Sequence, residues 1–297
     1  MLIRHRYKGL KMKILIAGAN GQVGSEFSQL NLDQNIELIL CGKDTLDITD
    51  KRLTEQLFEH HRPDIVINCA AYTAVDLAEK EPERAFLINE TGCENLAIAC
   101  VKYDVHLIHL STDYVFDGTK SLPYESNDIP NPINVYGQSK LAGEQKIIHL
   151  LSRYTILRVS WVFGQYGNNF VKTMLRLAEN NTHLEIINDQ LGGPTAANDI
   201  AMICVNIAQN SDRFTGILHF SGTPFVSWAQ FAEAIFRTAH IEGAIKSVPS
   251  VVPIKSIDYK SSTNRPKNST LKTSISLSHF KIINWQKSML KIVKLLN

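Results

Sequence analysis

The chain has 297 residues, 44% of them apolar and 20% charged, with a formal net charge of +2; that is enough to bury a sizeable core in one large domain or two joined lobes. No basic stripe interleaved with aromatics marks a nucleic-acid surface, and no apolar run approaches the ~18 residues that a membrane span requires. Cys41, Cys69, Cys93, Cys100 and Cys204 lie in apolar segments without CxxC pairing or metal-spaced histidines, so core thiols in a reducing cytoplasm are expected and no metal is.

Residues 1–11 are basic but lack the apolar core and cleavage site of a secretory signal; a disordered extension or an upstream start codon is expected there. An apolar run at 13–18 ends in glycine, as does a buried parallel strand feeding a tight turn, and a helix is expected from about Gln22. Strands then alternate with helices: strands at 36–40, 65–68, 105–110 and 154–159, helices at 51–60, 82–103 and 135–150. This order predicts βαβ units and a doubly wound, Rossmann-like parallel α/β sheet.

After Trp161 the pattern is less regular. Helices are expected at 170–179, 200–208 and 228–239, the last with Ser227 as N-cap, and strands at 184–187 and 216–220, the latter back in the main sheet. The stretch 248–273, rich in proline, serine and lysine, reads as loop, and 285–296 as an amphipathic core-packing helix. The expected division is a dinucleotide-binding part at 12–161, to which 194–220 returns, and a smaller interleaved C-terminal α/β substrate lobe over 162–297.

Residues 18–24 (GANGQVG) form a G-x-x-G-x-x-G turn between strand and helix, where glycine lets the backbone approach a pyrophosphate. The acidic residue expected about 20 residues further on for an adenosine ribose does not stand at the end of the second strand, where the chain reads Leu40, Cys41, Gly42, Lys43, Asp44. Lys43 can meet a 2′-phosphate, so NADPH is the expected cofactor, with NADH as the alternative. Asn68, Cys69, Ala70 and Ala71 end the third strand at the edge where ligands of such sheets bind.

Tyr136 and Lys140 are spaced i, i+4, which puts phenol and ammonium on one helix face. A phenol with pKa near ~10 needs a neighbour that favours its ionised form, and Lys140 supplies that charge. Thr112 ends the fourth strand at the same edge. The trio suits ketone reduction: hydride reaches the carbonyl carbon, Tyr136 gives a proton to the developing alkoxide, and Thr112 holds the oxygen.

These motifs resemble the extended short-chain dehydrogenase/reductase superfamily and, within it, the dTDP-4-dehydrorhamnose reductase family. The matching strings are 18–24, 46–49 (LDIT), 68–76 (NCAAYTAVD), 111–118 (STDYVFDG), 131–144 (NPINVYGQSKLAGE), 157–164 (LRVSWVFG), 169–175 (NFVKTML) and 265–269 (RPKNS). The resemblance implies catalysis by Thr112, Tyr136 and Lys140. It assigns Gly18, Asn20, Gly21, Gln22, Val23, Asp47, Ile48, Ala70, Ala71 and Thr73 to the cofactor, together with Tyr136 and Lys140. It assigns Thr112, Asp113, Tyr114, Trp161, Asn169, Arg265 and Lys267 to a dTDP-sugar substrate.

Two departures stand out: Cys69 where the family usually carries alanine, and Asn198 where a carboxylate would join Glu26 in members that dimerise through magnesium. A monomer or a homodimer is expected, in the cytoplasm. Two other readings compete. A nucleotide-sugar epimerase can use the same tyrosine and lysine, whereas a dehydratase would carry an acid in place of Tyr114. A non-catalytic subunit like the regulatory subunit of methionine adenosyltransferase is disfavoured by the intact trio.

Overall fold

The structure, a computed structural model, describes residues 11–259, 263–274, 277 and 284–297. Apart from Lys11, the expected N-terminal extension therefore lies outside the described residues. In chain order the elements are β1 (Met12–Ala17), β2 (Ile36–Cys41), α1 (Lys51–His61), β3 (Ile65–Asn68), α2 (Val75–Ala78), α3 (Pro82–Phe86), α4 (Gly92–Tyr103), β4 (His106–Thr112), α5 (Val135–Leu150) and β5 (Tyr154–Val159). They continue with β6 (Val162–Phe163), α6 (Phe170–Ala178), β7 (His183–Ile187), β8 (Leu191–Gly192), β9 (Thr195–Ala196), α7 (Ala197–Gln209), β10 (Gly216–Phe220), β11 (Val226–Ser227), α8 (Trp228–Ile241), β12 (Ser250–Ile254) and α9 (Trp285–Leu296).

Six strands form one parallel sheet in the order β2-β1-β3-β4-β5-β10. Alternation along each strand sends its side chains to two separate cores. Ile14, Ile16, Ile67, Ile108 and Leu157 pack with α7 and Phe27, while Leu15, Ala17, Val66, Leu107 and Ile156 pack with α1, α4 and α5. Burying each such aliphatic side chain is worth about 1.5–3 kcal/mol. The sheet is thus doubly wound, and its strand order reverses between β1 and β3, the switch point at which ligands of open α/β sheets bind. A third core joins Phe163, α6, α8 and α9. Among the described residues no helix is long and apolar enough to cross a membrane.

Three elements differ from the sequence expectation. The helix expected from Gln22 is a 3-10 turn over Gly24–Gln29. Glycine and two serines make that segment a poor α-helix, and Ser25 and Ser28 hydroxyls bond the backbone carbonyls of Ala19 and Ser25 instead. The single helix expected at 82–103 is interrupted by a π-turn at Leu87–Thr91. The loop expected over 248–273 contains β12, which runs parallel to β7 with Pro253 opposite Ile186. A two-stranded pair leaves one side of β12 free, so a proline without an N–H is accommodated. Residues 260–262 of that stretch lie outside the described residues.

Candidate active site

The carboxyl ends of β1, β3 and β4 deliver the residues that the sequence singled out. Gly18 leaves β1 with φ +77, and a Cβ there would sit 2.6 Å from the Ala70 amide, so only glycine lets the two loops meet. The backbone amides of Asn20, Gln22 and Val23 make no backbone hydrogen bond among the described residues. Three such donors beside a close-approach glycine fit a pyrophosphate. The six-residue 3-10 turn that follows carries little macrodipole, so the turn amides are the principal donors.

The other cofactor candidates surround this turn. Asn20 packs its amide against Gly42, just past β2. Asp47 accepts from the Thr49 amide at 3.0 Å and hydroxyl at 2.7 Å, which holds its carboxyl below the usual range. The N-cap of α1 is Asp50, which accepts from Leu53 N–H at 2.9 Å. Ile48 is buried, Ala70 and Ala71 are half-buried, and Thr73 is exposed.

Asn169, expected at the substrate, lies against Gln22 of the Gly-rich turn. As the N-cap of α6 its Oδ1 accepts from Lys172 N–H at 3.1 Å, while its Nδ2 donates to Gln22 Oε1 and the Gly164 carbonyl, both at 2.8 Å.

Thr112 ends β4 and caps the short turn of Asp113–Val115, accepting from Tyr114 N–H at 3.1 Å. Its hydroxyl proton goes to Asp113 Oδ1 at 3.0 Å, and its side chain lies beside the Tyr136 phenol. Asp113 is buried and accepts from Ser160 Oγ at 3.0 Å; burial pushes its carboxyl up to about 6 despite these donors.

Asn134 starts α5 by accepting from Gly137 N–H at 2.8 Å. A Cβ at Gly137 would lie 2.2 Å from the Tyr114 carbonyl oxygen, so glycine here seats α5 directly on the Tyr114 turn. The rings of Tyr114 and Tyr136 consequently meet edge to face at 5.8 Å.

Tyr136 is partly exposed and Lys140, one turn further, is buried. Burial raises the Tyr136 phenol to about 12. Lys140 Nζ donates to the Leu110 carbonyl at 2.7 Å and lies 3.1 Å from His109 Nε2. Burial lowers its pKa.

Arg265 arrives from the C-terminal part. Asn134 Nδ2 donates to the Asn264 carbonyl at 2.9 Å, which docks that loop on the start of α5. Arg265 Nη2 binds Asp76 Oδ2 at 2.7 Å, and its guanidinium also hydrogen-bonds Tyr114. Lys267 is exposed, and it is its carbonyl that holds the Leu191 amide, at 2.8 Å. Trp161 takes a left-handed backbone, φ 46, and stacks on Trp228 at 3.4 Å with 5° between planes.

Several residues behind the site were given no individual role by the sequence. Asn89, inside the π-turn, accepts from Tyr72 N–H at 2.8 Å and donates to Ser139 Oγ at 2.9 Å, clamping the 70–73 loop to α5. Glu144 forms a buried bidentate pair with Arg158, 2.9 and 2.6 Å, and accepts from Ser111. Asn68 and His109 line the inner side of Lys140. For Asn68 and His109 the one local signal is a polar side chain beside apolar neighbours in a strand.

Comparison with known proteins finds relatives that match nearly the whole chain. Residues 12–297 match the model of the RmlD substrate binding domain family. The dTDP-4-dehydrorhamnose reductase of Aggregatibacter actinomycetemcomitans is 42% identical over 287 residues, 94% of this chain and 98% of that one. The crystal structure of dTDP-4-dehydrorhamnose reductase from Bacillus anthracis in complex with NADP superposes with TM-score 0.88 at 36% identity, covering 95% of this chain and 99% of that one. The Clostridium acetobutylicum counterpart gives 0.89 at 36% identity, over 96% and 99% of the two chains. A Thermus thermophilus UDP-glucose 4-epimerase, TM-score 0.75 at 18% identity over 95% and 98% of the chains, shares the fold. The chain therefore belongs to the RmlD substrate binding domain family.

Proposed function

We propose that this chain is an NADPH-dependent oxidoreductase that reduces the 4-keto group of dTDP-4-dehydro-6-deoxy-L-mannose to give dTDP-L-rhamnose. The observation that carries this reading is the meeting of Thr112, Tyr114 and Tyr136 where β4 ends and α5 begins. Relatives that bear the reductase name, one of them solved with NADP, support substrate and cofactor.

NADPH bound at the turn would supply the hydride. Tyr136 gives its proton to the 4-oxygen as charge develops there. Thr112 holds that oxygen by turning its single proton away from Asp113. Lys140 binds the nicotinamide ribose and, in its protonated form, favours ionisation of Tyr136, against the burial that holds the phenol at about 12. Arg265, a planar fork half-buried beside Tyr114, addresses the diphosphate, with Lys267 adding charge at the rim and Trp161 lining the sugar. Residues 12–161 with 194–220 hold the cofactor, and the rest of 162–297 mainly holds the sugar. Action in a reducing cytoplasm fits five free cysteines, and the chain acts as a monomer or homodimer.

The test is NADPH oxidation by purified protein with the 4-keto sugar made in situ by an upstream dehydratase and epimerase. Oxidation that requires every component and yields dTDP-L-rhamnose supports the reading. Cofactor binding without oxidation sinks it, and tightly retained NAD with interconversion of sugar epimers would favour an epimerase.

A further inference from the structure

Lys140 is fully enclosed, and what lies behind it is a chain of three buried side chains whose hydrogen-bond directions can be counted. Asn68, His109 and Lys140 are each 2% exposed or less. The chain begins at a backbone donor: Ala70 N–H reaches Asn68 Oδ1 at 3.0 Å. An amide N–H requires an acceptor, so the Asn68 side chain has one orientation, with Oδ1 towards Ala70 and the NH2 group away from it. That NH2 group faces His109 Nδ1 at 3.0 Å. His109 Nδ1 is therefore an acceptor and carries no proton.

Burial keeps the imidazole from taking a second proton. A neutral imidazole has one N–H, which must then be on Nε2, and Nε2 lies 3.1 Å from Lys140 Nζ. An ammonium has three donors and no acceptor, so it cannot receive this N–H; a neutral amine can. With one hydrogen of Nζ given to the Leu110 carbonyl at 2.7 Å, the neutral amine keeps its lone pair for the His109 N–H. Cys93 Sγ, 3.8 to 3.9 Å from both ring nitrogens, is too weak an acceptor to reverse the order.

We infer that Asn68 and His109 are positioning residues that set the protonation of Lys140: Asn68 fixes the tautomer of His109, and His109 presents an N–H that disfavours the ammonium form. The other titratable groups facing Lys140 are Cys69 after β3, Cys93 on α4 and Glu144 one turn along α5. Each of these, when ionised, favours the ammonium, and Glu144 is already paired with Arg158. The inference rests on the reading of Lys140 as the partner of Tyr136, because its consequence for turnover is the pH above which that pair can no longer supply a proton.

The tautomer is directly measurable in the full chain. Long-range ¹⁵N–¹³C spectra of histidine-labelled protein, with His109 assigned through His109→Gln, are expected to show the Nε2–H form. An Nδ1–H form in the unaltered protein overturns the inference whatever the activity. In Asn68→Asp the new carboxylate calls for a proton on Nδ1, and in Asn68→Ala the constraint is lifted, so both should populate the Nδ1–H form. The pH profile of kcat/KM for NADPH oxidation should then keep its basic limb to higher pH, by about one unit in Asn68→Asp, a tenfold change in proton affinity. A slower enzyme with an unmoved limb would mean that Asn68 is only structural. Full activity in Lys140→Met would instead overturn the reading of Lys140, while the tautomer spectra still decide the inference.

Discussion

The two sides of the site are held by different means. Towards the sheet, Lys140, His109, Asn68, Glu144 and Arg158 are sealed between β3, β4, β5 and α5, and each polar group meets a partner within the interior. Towards the C-terminal part, Arg265 and Lys267 ride on a loop, and Arg265 is anchored to an Asp76 side chain that is 54% exposed. Rigid burial suits groups that must hold a proton in one place, whereas a partly solvated arginine can exchange its protein partner for a ligand oxygen. The sheet side should therefore respond to substitution through rate and fold stability, the loop side through substrate affinity.

The largest effect is expected at the junction of the two sides. Tyr136→Phe removes the proton donor and should lower kcat about 10²–10⁴-fold with the Kd for NADPH unchanged; turnover near the parent rate would remove Tyr136 from the mechanism. Next is Glu144→Gln, which strands Arg158 in a site where it is 1% exposed. Unfolding in denaturant should show a loss of about 3–5 kcal/mol, and a loss below about 1 kcal/mol would mean that water reaches the pair.

Asp113 sharpens the contrast through pH. Folding raises its carboxyl to about 6, so its contribution to stability is fully present below the unfolded value of about 4 and is lost as pH rises through about 6. Asp113→Asn escapes that loss. It should gain on the parent protein between about pH 4 and 6, by on the order of 1–3 kcal/mol at neutral pH, read as thermal midpoints across that range. A difference independent of pH would show that the carboxyl stays ionised throughout. The smallest change in stability belongs to Arg265→Ala, about 1 kcal/mol or less for a solvated ion pair, combined with a KM for the sugar raised about tenfold. An unchanged KM would leave Arg265 a surface residue of the loop.

How much of this was legible beforehand depends on how far apart the interacting residues lie along the chain. The main sheet was readable because Ile14 to Ala17, Ile65 to Asn68 and Tyr154 to Val159 are short apolar runs, punctuated by turns and helices. Tyr136 and Lys140 were readable because one helical turn joins them. Asn68 was readable only as the end of β3, and His109 and Asn89 not at all, since the side chains these residues meet stand 17 to 50 positions away and each resembles an ordinary polar interruption. β12 was missed for the same reason: its pairing with β7 is a tertiary event that outweighs the local signal of Pro253.

The stacked indoles of Trp161 and Trp228 have an optical consequence. The chain has three tryptophans, and the third, Trp285, is buried with its N–H on the Pro224 carbonyl. Two parallel chromophores at 3.4 Å share their excited states, so the protein should show an exciton couplet in circular dichroism. Any ligand that wedges against Trp161 and tilts the pair would change that couplet, making the chain its own unlabelled reporter of sugar binding.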